Sequence, residues 1–164
     1  IHYFSRNKNN HKNKADKIYK QILDLSIDFV KNNDIFIGKN FFVSFEIFSI
    51  FLILFMKSFK DLKVKNYKKV NQELNNLLIK DLDISFREQG IGDMNIGKHV
   101  KSYIKKFYFR LGHIEKNITN FNEKEFTSFI KNLTFVKDGK EIIFSKKIID
   151  KYTEIQEEIK RSYL

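Results

Sequence analysis

Apolar residues recur along this chain at intervals that predict a succession of helices. From Ala15 to Lys31, Ile18, Ile22, Leu25 and Phe29 fall at steps of three and four, and Tyr19, Leu23, Ser26 and Val30 widen the stripe, the period of an amphipathic helix. Asn32 to Lys39, with Gly38, reads as a turn. Asn40 to Met56 is then almost wholly apolar, with Ser44 and Glu46 inside it. A helix apolar on every side needs several neighbours to cover it, so this one is expected at the centre of the fold. Its length also lies at the lower edge of a membrane span, and insertion or deep membrane contact is the competing reading. Glu46 and the lack of a comparable second segment favour the buried helix.

Lys57 to Lys69 reads as a charged linker with short helix ends around Asp61 to Val64. Helical spacing resumes with Val70, Leu74, Leu77, Leu78, Leu82 and Phe86, and again with Ile96, Val100, Tyr103, Ile104, Phe107, Leu111, Ile114 and Ile118, with a bend or stop near Gly112 or Asn117. Asn122 to Glu125 has the form of a capping box opening a helix through Phe126, Phe129, Ile130 and Leu133. Asp138-Gly139 marks a turn, and Glu141 to Tyr163 reads as a last amphipathic helix. A hairpin pairing Leu133 to Val136 with Ile142 to Phe144 is the alternative there, because Asp-Gly is good hairpin chemistry. The expectation is an all-α, single-domain bundle of about six helices spanning residues 15–164. Residues 1–14, polar and basic without an acidic residue, are expected as a mobile arm.

Between the third and fourth helical patterns runs Phe86-Arg-Glu-Gln-Gly-Ile-Gly-Asp-Met-Asn-Ile-Gly-Lys98. Gly90 is a natural helix stop because a left-handed residue costs glycine little, and Gly92 is expected to let the chain reverse at once. Asp93 stands where an N-cap belongs. The segment therefore predicts a tight corner, with Gly90, Gly92 and Gly97 as its structural glycines. Glycines before a helix can also cradle phosphate, but no hydrophobic strand precedes these and Asp93 would repel an anion, so nucleotide binding is not the reading adopted.

Composition narrows the chemistry. The 164 residues are 42% hydrophobic, enough for a real core, and 18 Phe dominate it. Without Cys there is no disulfide, thiolate metal site or cysteine nucleophile. The net charge of +11 suggests an anionic partner, yet only four of the 31 basic residues are Arg, in a Lys-, Asn-, Ile- and Phe-rich usage typical of an AT-rich genome. Arg is the side chain that grips phosphate bidentately, so specific DNA recognition is not expected. Weak attraction to an anionic membrane or the ribosome survives that discount.

Catalytic constellations are poor. His2 and His11 lie in the arm, and His99 and His113 are separated by about 21 Å on a continuous helix, too far to share a metal. Both are expected as surface or half-buried side chains. Asp81, Asp83 and Glu88 gather near the corner, where solvated helix-end charge is the plainer reading than cation binding. No Gly-x-Ser-x-Gly elbow or Ser-His-Asp order is present, and no enzyme, metal or cofactor is expected. Direct haem ligation lacks a Cys or a well-placed His-Met pair.

From Lys17 to Lys116 the chain resembles the ubiquinol-cytochrome c chaperone family. The resemblance rests on Asp16-Lys-Ile-Tyr-Lys-Gln-Ile22, the apolar helix at 41–56, Asp81-Leu-Asp83, Arg87-Glu88, Gly90-Ile-Gly-Asp93, Gly97-Lys98 and the run Lys98 to Arg110. Phe109 precedes Arg110 where the family usually has Gly, and Lys31 to Asn40 is short of the family's usual Asp and Arg. The resemblance implies a non-enzymatic chaperone that engages newly synthesised cytochrome b and promotes assembly of respiratory complex III. It would act in the bacterial cytoplasm, peripheral at the inner membrane, or at the matrix face if mitochondrial. A transit peptide would be richer in Arg and Ser than this N-terminus, which favours the bacterial setting. A second assembly factor, the ribosome and anionic lipid are further partners to consider, with a hydrophobic groove for an emerging transmembrane segment. The partner-facing residues expected are Arg87, Glu88, Asp93, Lys98, Lys101 and Lys105. Two readings from other classes compete: a basic ribosome- or RNA-binding module, and a small membrane protein anchored by residues 41–56.

Overall fold

The apolar run folds as one helix, α2 (Phe41–Asp61), and the other helices are arranged around it. The computed structural model describes the backbone of residues 2–164 and side-chain surroundings from Asn10 onward. Along that span lie α1 (His2–Asn32), α3 (Tyr67–Glu88), α4 (Asp93–Thr119), α5 (Glu123–Leu133) and α6 (Glu141–Tyr163). Helices α1, α3, α4 and α6 all pack on α2, while α5 packs on α6 and α4. Every residue of α2 from Phe45 to Phe59 is buried. The all-α bundle around a central apolar helix is thus the observed architecture, and α2 is covered by protein.

Local chemistry sets the boundaries. Asn40 caps α2, its side-chain oxygen accepting from the Val43 amide at 3.1 Å. Asn122 caps α5 in the same way, accepting from the Glu125 amide at 3.2 Å. Each cap satisfies one of the amides that a helix start leaves free.

Three boundaries depart from expectation. The segment read as an arm is helical from His2 and continuous with α1. Lys14, one turn before the first apolar stripe residues, places its ammonium 4.6 Å from the ring centre of Tyr163, joining this stretch to the end of α6. The charged linker is shorter than expected, since α2 runs on to Asp61, where buried Lys57 pairs with the Asp61 carboxylate at 2.7 Å. Neither Gly112 nor Asn117 interrupts α4.

The hairpin alternative also fails, because Ile142 to Phe144 is helical. Val136 instead forms an isolated antiparallel bridge with Phe36, supported by Ile37 N–H donating to the Phe135 carbonyl at 3.1 Å and Lys137 N–H to that of Ile35 at 2.8 Å. Phe36, Phe135 and Phe144 are buried together there, with ring centres 5.3 to 6.4 Å apart. Fully burying a Phe contributes roughly 1.5–3 kcal/mol, so the pairing of the two loops is sealed by its aromatic side chains as much as by its backbone bonds.

Candidate functional site

The corner between α3 and α4 holds most of the residues singled out by sequence. Gly90 adopts φ +84°, the left-handed conformation glycine takes freely. Its N–H donates to the Arg87 carbonyl at 3.0 Å, and the next N–H, of Ile91, donates to Phe86 at 3.1 Å. This bond pair closes a helix through a left-handed glycine. The other two glycines have a different basis. Gly92 has φ −68°, open to any residue, and Gly97 lies within α4, with no atom within 4 Å of where a Cβ would sit at either position. Only Gly90 is demanded by the backbone of the corner.

Asp93 is not the N-cap. Gly92 holds that position and Asp93 is the first helical residue, making no capping bond to the backbone. Its carboxylate accepts from Arg87 Nη1, while Arg87 Nε donates to Asp83 at 2.7 Å. Arg87 therefore bridges the last turn of α3 and the first residue of α4, and the two carboxylates push its guanidinium pKa further up. The Asp93 carboxylate also lies at the positive end of the α4 dipole. All three side chains are well exposed, so this network orients the corner more than it stabilises the fold. Glu88 is exposed and joins no ion pair among the described residues. The rest of the acidic cluster disperses: buried Tyr19 donates to Asp81 at 2.8 Å, tying α1 to α3. Burial and the Asp81 carboxylate drive the Tyr19 pKa upward.

Lys98, Lys101 and Lys105 do not converge on the Arg87 network. They are exposed on the side of α4 opposite its buried stripe of Ile96, Phe107, Arg110 and Ile114. His99 packs against the ring of Phe86 and His113 stacks on Phe129 with centroids 4.8 Å apart, so the structure keeps the two histidines apart. Among the described residues no three carboxylate or imidazole groups gather as a metal site.

Two features were missed from sequence. The first is a buried ion pair in which Arg110 Nε and Nη2 both donate to the Glu46 carboxylate at 2.5 Å, with Nη1 donating to the Lys106 carbonyl at 3.3 Å. The signal was there in a lone Glu within an apolar helix and a lone Arg closing the charged corner run, separated by 64 positions. The second is a polar cleft of about 800 Å³ lined by Lys57, Lys60, Asp61, Glu115, Lys116 and Tyr152, between the ends of α2 and α4 and the flank of α6. It is not the hydrophobic groove expected for a transmembrane segment. Smaller crevices with apolar lining, of about 210 and 120 Å³, lie on either side of Ser44 where α1, α2 and α3 diverge.

The helical bundle thus presents a charged corner and an open basic helix face. The sequence pattern of the ubiquinol-cytochrome C chaperone family matches residues 34–151, and the chain belongs to that family. No curated protein matches the chain in sequence. The crystal structure of the Cbp3 homolog from Brucella abortus superposes with a TM-score of 0.73 at 18% identity, covering 96% of this chain and 88% of that one, and so shares its fold.

Proposed function

We propose that this protein is a non-catalytic assembly factor that binds newly synthesised cytochrome b and promotes assembly of the ubiquinol-cytochrome c reductase complex. The observation that carries the reading is the family match across residues 34–151, which includes the whole α3–α4 corner. The corner has the character such a role calls for. Its charges are exposed and linked to one another, so they keep their geometry while remaining free to be exchanged for a partner's. Arg87, Glu88 and Asp93 form the client-facing surface in this reading, while Lys98, Lys101 and Lys105 lie on the outer face of α4. The apolar crevices beside Ser44 have the lining that a hydrophobic client segment needs. The protein works at the cytoplasmic face of the inner membrane, or the matrix face in a mitochondrion.

The test is deletion in the native host or a close relative, with cytochrome b and complex III quantified by spectrum and immunoblot while the transcript is followed. Loss of cytochrome b with its transcript intact is the expected result. Unchanged cytochrome b would overturn the proposal and favour the basic module bound to RNA or the ribosome.

A further inference from the structure

We infer that the solvent face of α4 is a docking surface for an anionic phospholipid bilayer. From Met94 to Ile114 the helix carries no acidic residue, a span of about 30 Å. Lys98, Lys101 and Lys105 occupy the outward line of that span, exposed and outside every ion pair among the described residues. Met94, Tyr108 and Phe109 stand on the same side, 92%, 51% and 54% exposed. At 100° per residue all six fall within about a third of the helix circumference, centred opposite the buried stripe.

The combination selects the partner. Lysines of one sign, with no carboxylate among them, attract a negatively charged surface. Large apolar side chains beside them gain by leaving water, which a bilayer interface permits for Met94 as well as for Tyr108 and Phe109, whereas unpaired bases would stack only on the two rings. The arginine that would favour bidentate contact with nucleic-acid phosphate, Arg110, is instead turned inward onto Glu46. A lipid headgroup layer needs only positive points over an apolar edge, and α4 supplies both in one line. The inference extends the peripheral placement proposed above by naming the face that makes it. With α4 laid on the membrane, the α3–α4 corner sits at the bilayer edge, where a membrane-protein client emerges.

Flotation of the purified protein with vesicles tests this without any client present. Vesicles containing phosphatidylglycerol should carry the protein upward at low salt, and vesicles of phosphatidylcholine alone should not. Each lysine near an anionic surface contributes roughly fivefold in partitioning, so Lys98→Glu, Lys101→Glu and Lys105→Glu together should lower it by at least about a hundredfold, with helicity and melting unchanged. Tyr108→Ser with Phe109→Ser should lower partitioning while leaving its salt dependence in place. Equal flotation of the wild type and the lysine variant would overturn the inference, as would no flotation with anionic vesicles. Tighter binding to single-stranded RNA than to vesicles at equal phosphate would overturn it too. None of these outcomes bears on cytochrome b accumulation in the deletion strain, so the two proposals fail separately.

Discussion

Arg110 on α4 places two guanidinium nitrogens on the carboxylate of Glu46, at the heart of the most apolar helix in the chain, and Glu46 has no exposed surface. The third nitrogen bonds a carbonyl of α4 itself, so the fork is anchored on its own helix as well as on α2. A carboxylate alone in that core would be strongly disfavoured, and the Arg fork satisfies it bidentately.

Removing one partner should therefore cost far more than removing both. Arg110→Met leaves a buried charge unpaired and is expected to lower stability by about 3–5 kcal/mol. Glu46→Leu with Arg110→Met should recover most of that loss, since apolar replacement of both members of a buried pair is often neutral or stabilising. Urea unfolding of the two variants checks this. A double variant as unstable as the single would mean that the damage came from lost packing.

The three corner glycines should separate on substitution. Gly90→Ala forces a side chain into the left-handed region and is expected to lose about 1–2 kcal/mol. Gly97→Ala removes a flexible residue from an exposed helix and should gain up to about 1 kcal/mol. Gly92→Ser, at an extended N-cap, should gain a few tenths by offering an oxygen to the free amides. Thermal melts of the three rank them. A Gly97→Ala variant that melts higher but fails to sustain cytochrome b would mark that glycine as a point of close partner approach.

Asp93→Ala should scarcely move the melting temperature, because the residue makes no capping bond and its ion pair with Arg87 is exposed. The variant is expected to lose cytochrome b accumulation in the native host. A lowered melt accompanied by normal accumulation would reverse the assignment and make Asp93 structural.

Tyrosine ionisation supplies a pH test. Burial and neighbouring carboxylates raise Tyr19 and Tyr152 above the ordinary value of 10.0, with Asp81 acting on the first and Asp61 on the second. The folded protein therefore holds phenolic protons that the unfolded chain releases near that value. Stability from these groups is complete below pH 10 and falls as pH rises above it. Tyrosinate absorbance should lag in the native protein relative to the denatured chain, and Tyr19→Phe should shrink the lag. Coincident native and denatured titrations would refute it.

What the sequence disclosed was whatever is decided locally. Helical periods, the Asn122 cap and the Gly90 stop are read within a few residues of where they act, and the corner followed from them. Asp93 was misplaced by one position because Gly92, with no capping side chain, nevertheless takes the N-cap conformation. The early start of α1 was hidden by its polar composition, which carries no period to read. The Phe36–Val136 bridge and the Glu46–Arg110 pair depend on residues brought together from distant parts of the chain, and periodicity contains no information about that. Among the site residues, Arg87 and Asp93 do meet, whereas the three lysines diverge onto another face, a difference decided by helix phase across the turn.

The cover of α2 arrives late. Of the helices packed on it only α1 precedes it, and its remaining faces are closed by α3 and α4 and finally by α6, which begins 80 residues after α2 ends. On the ribosome, the segment Phe41–Asp61 therefore emerges with only α1 made beside it, and by length and hydropathy it passes for a membrane span. A protein whose proposed task is to look after a nascent membrane protein thus presents, during its own synthesis, the same signal as its client. Glu46, unpaired until Arg110 is made, is the only charged side chain between Phe41 and Met56, and a lone carboxylate in lipid is costly.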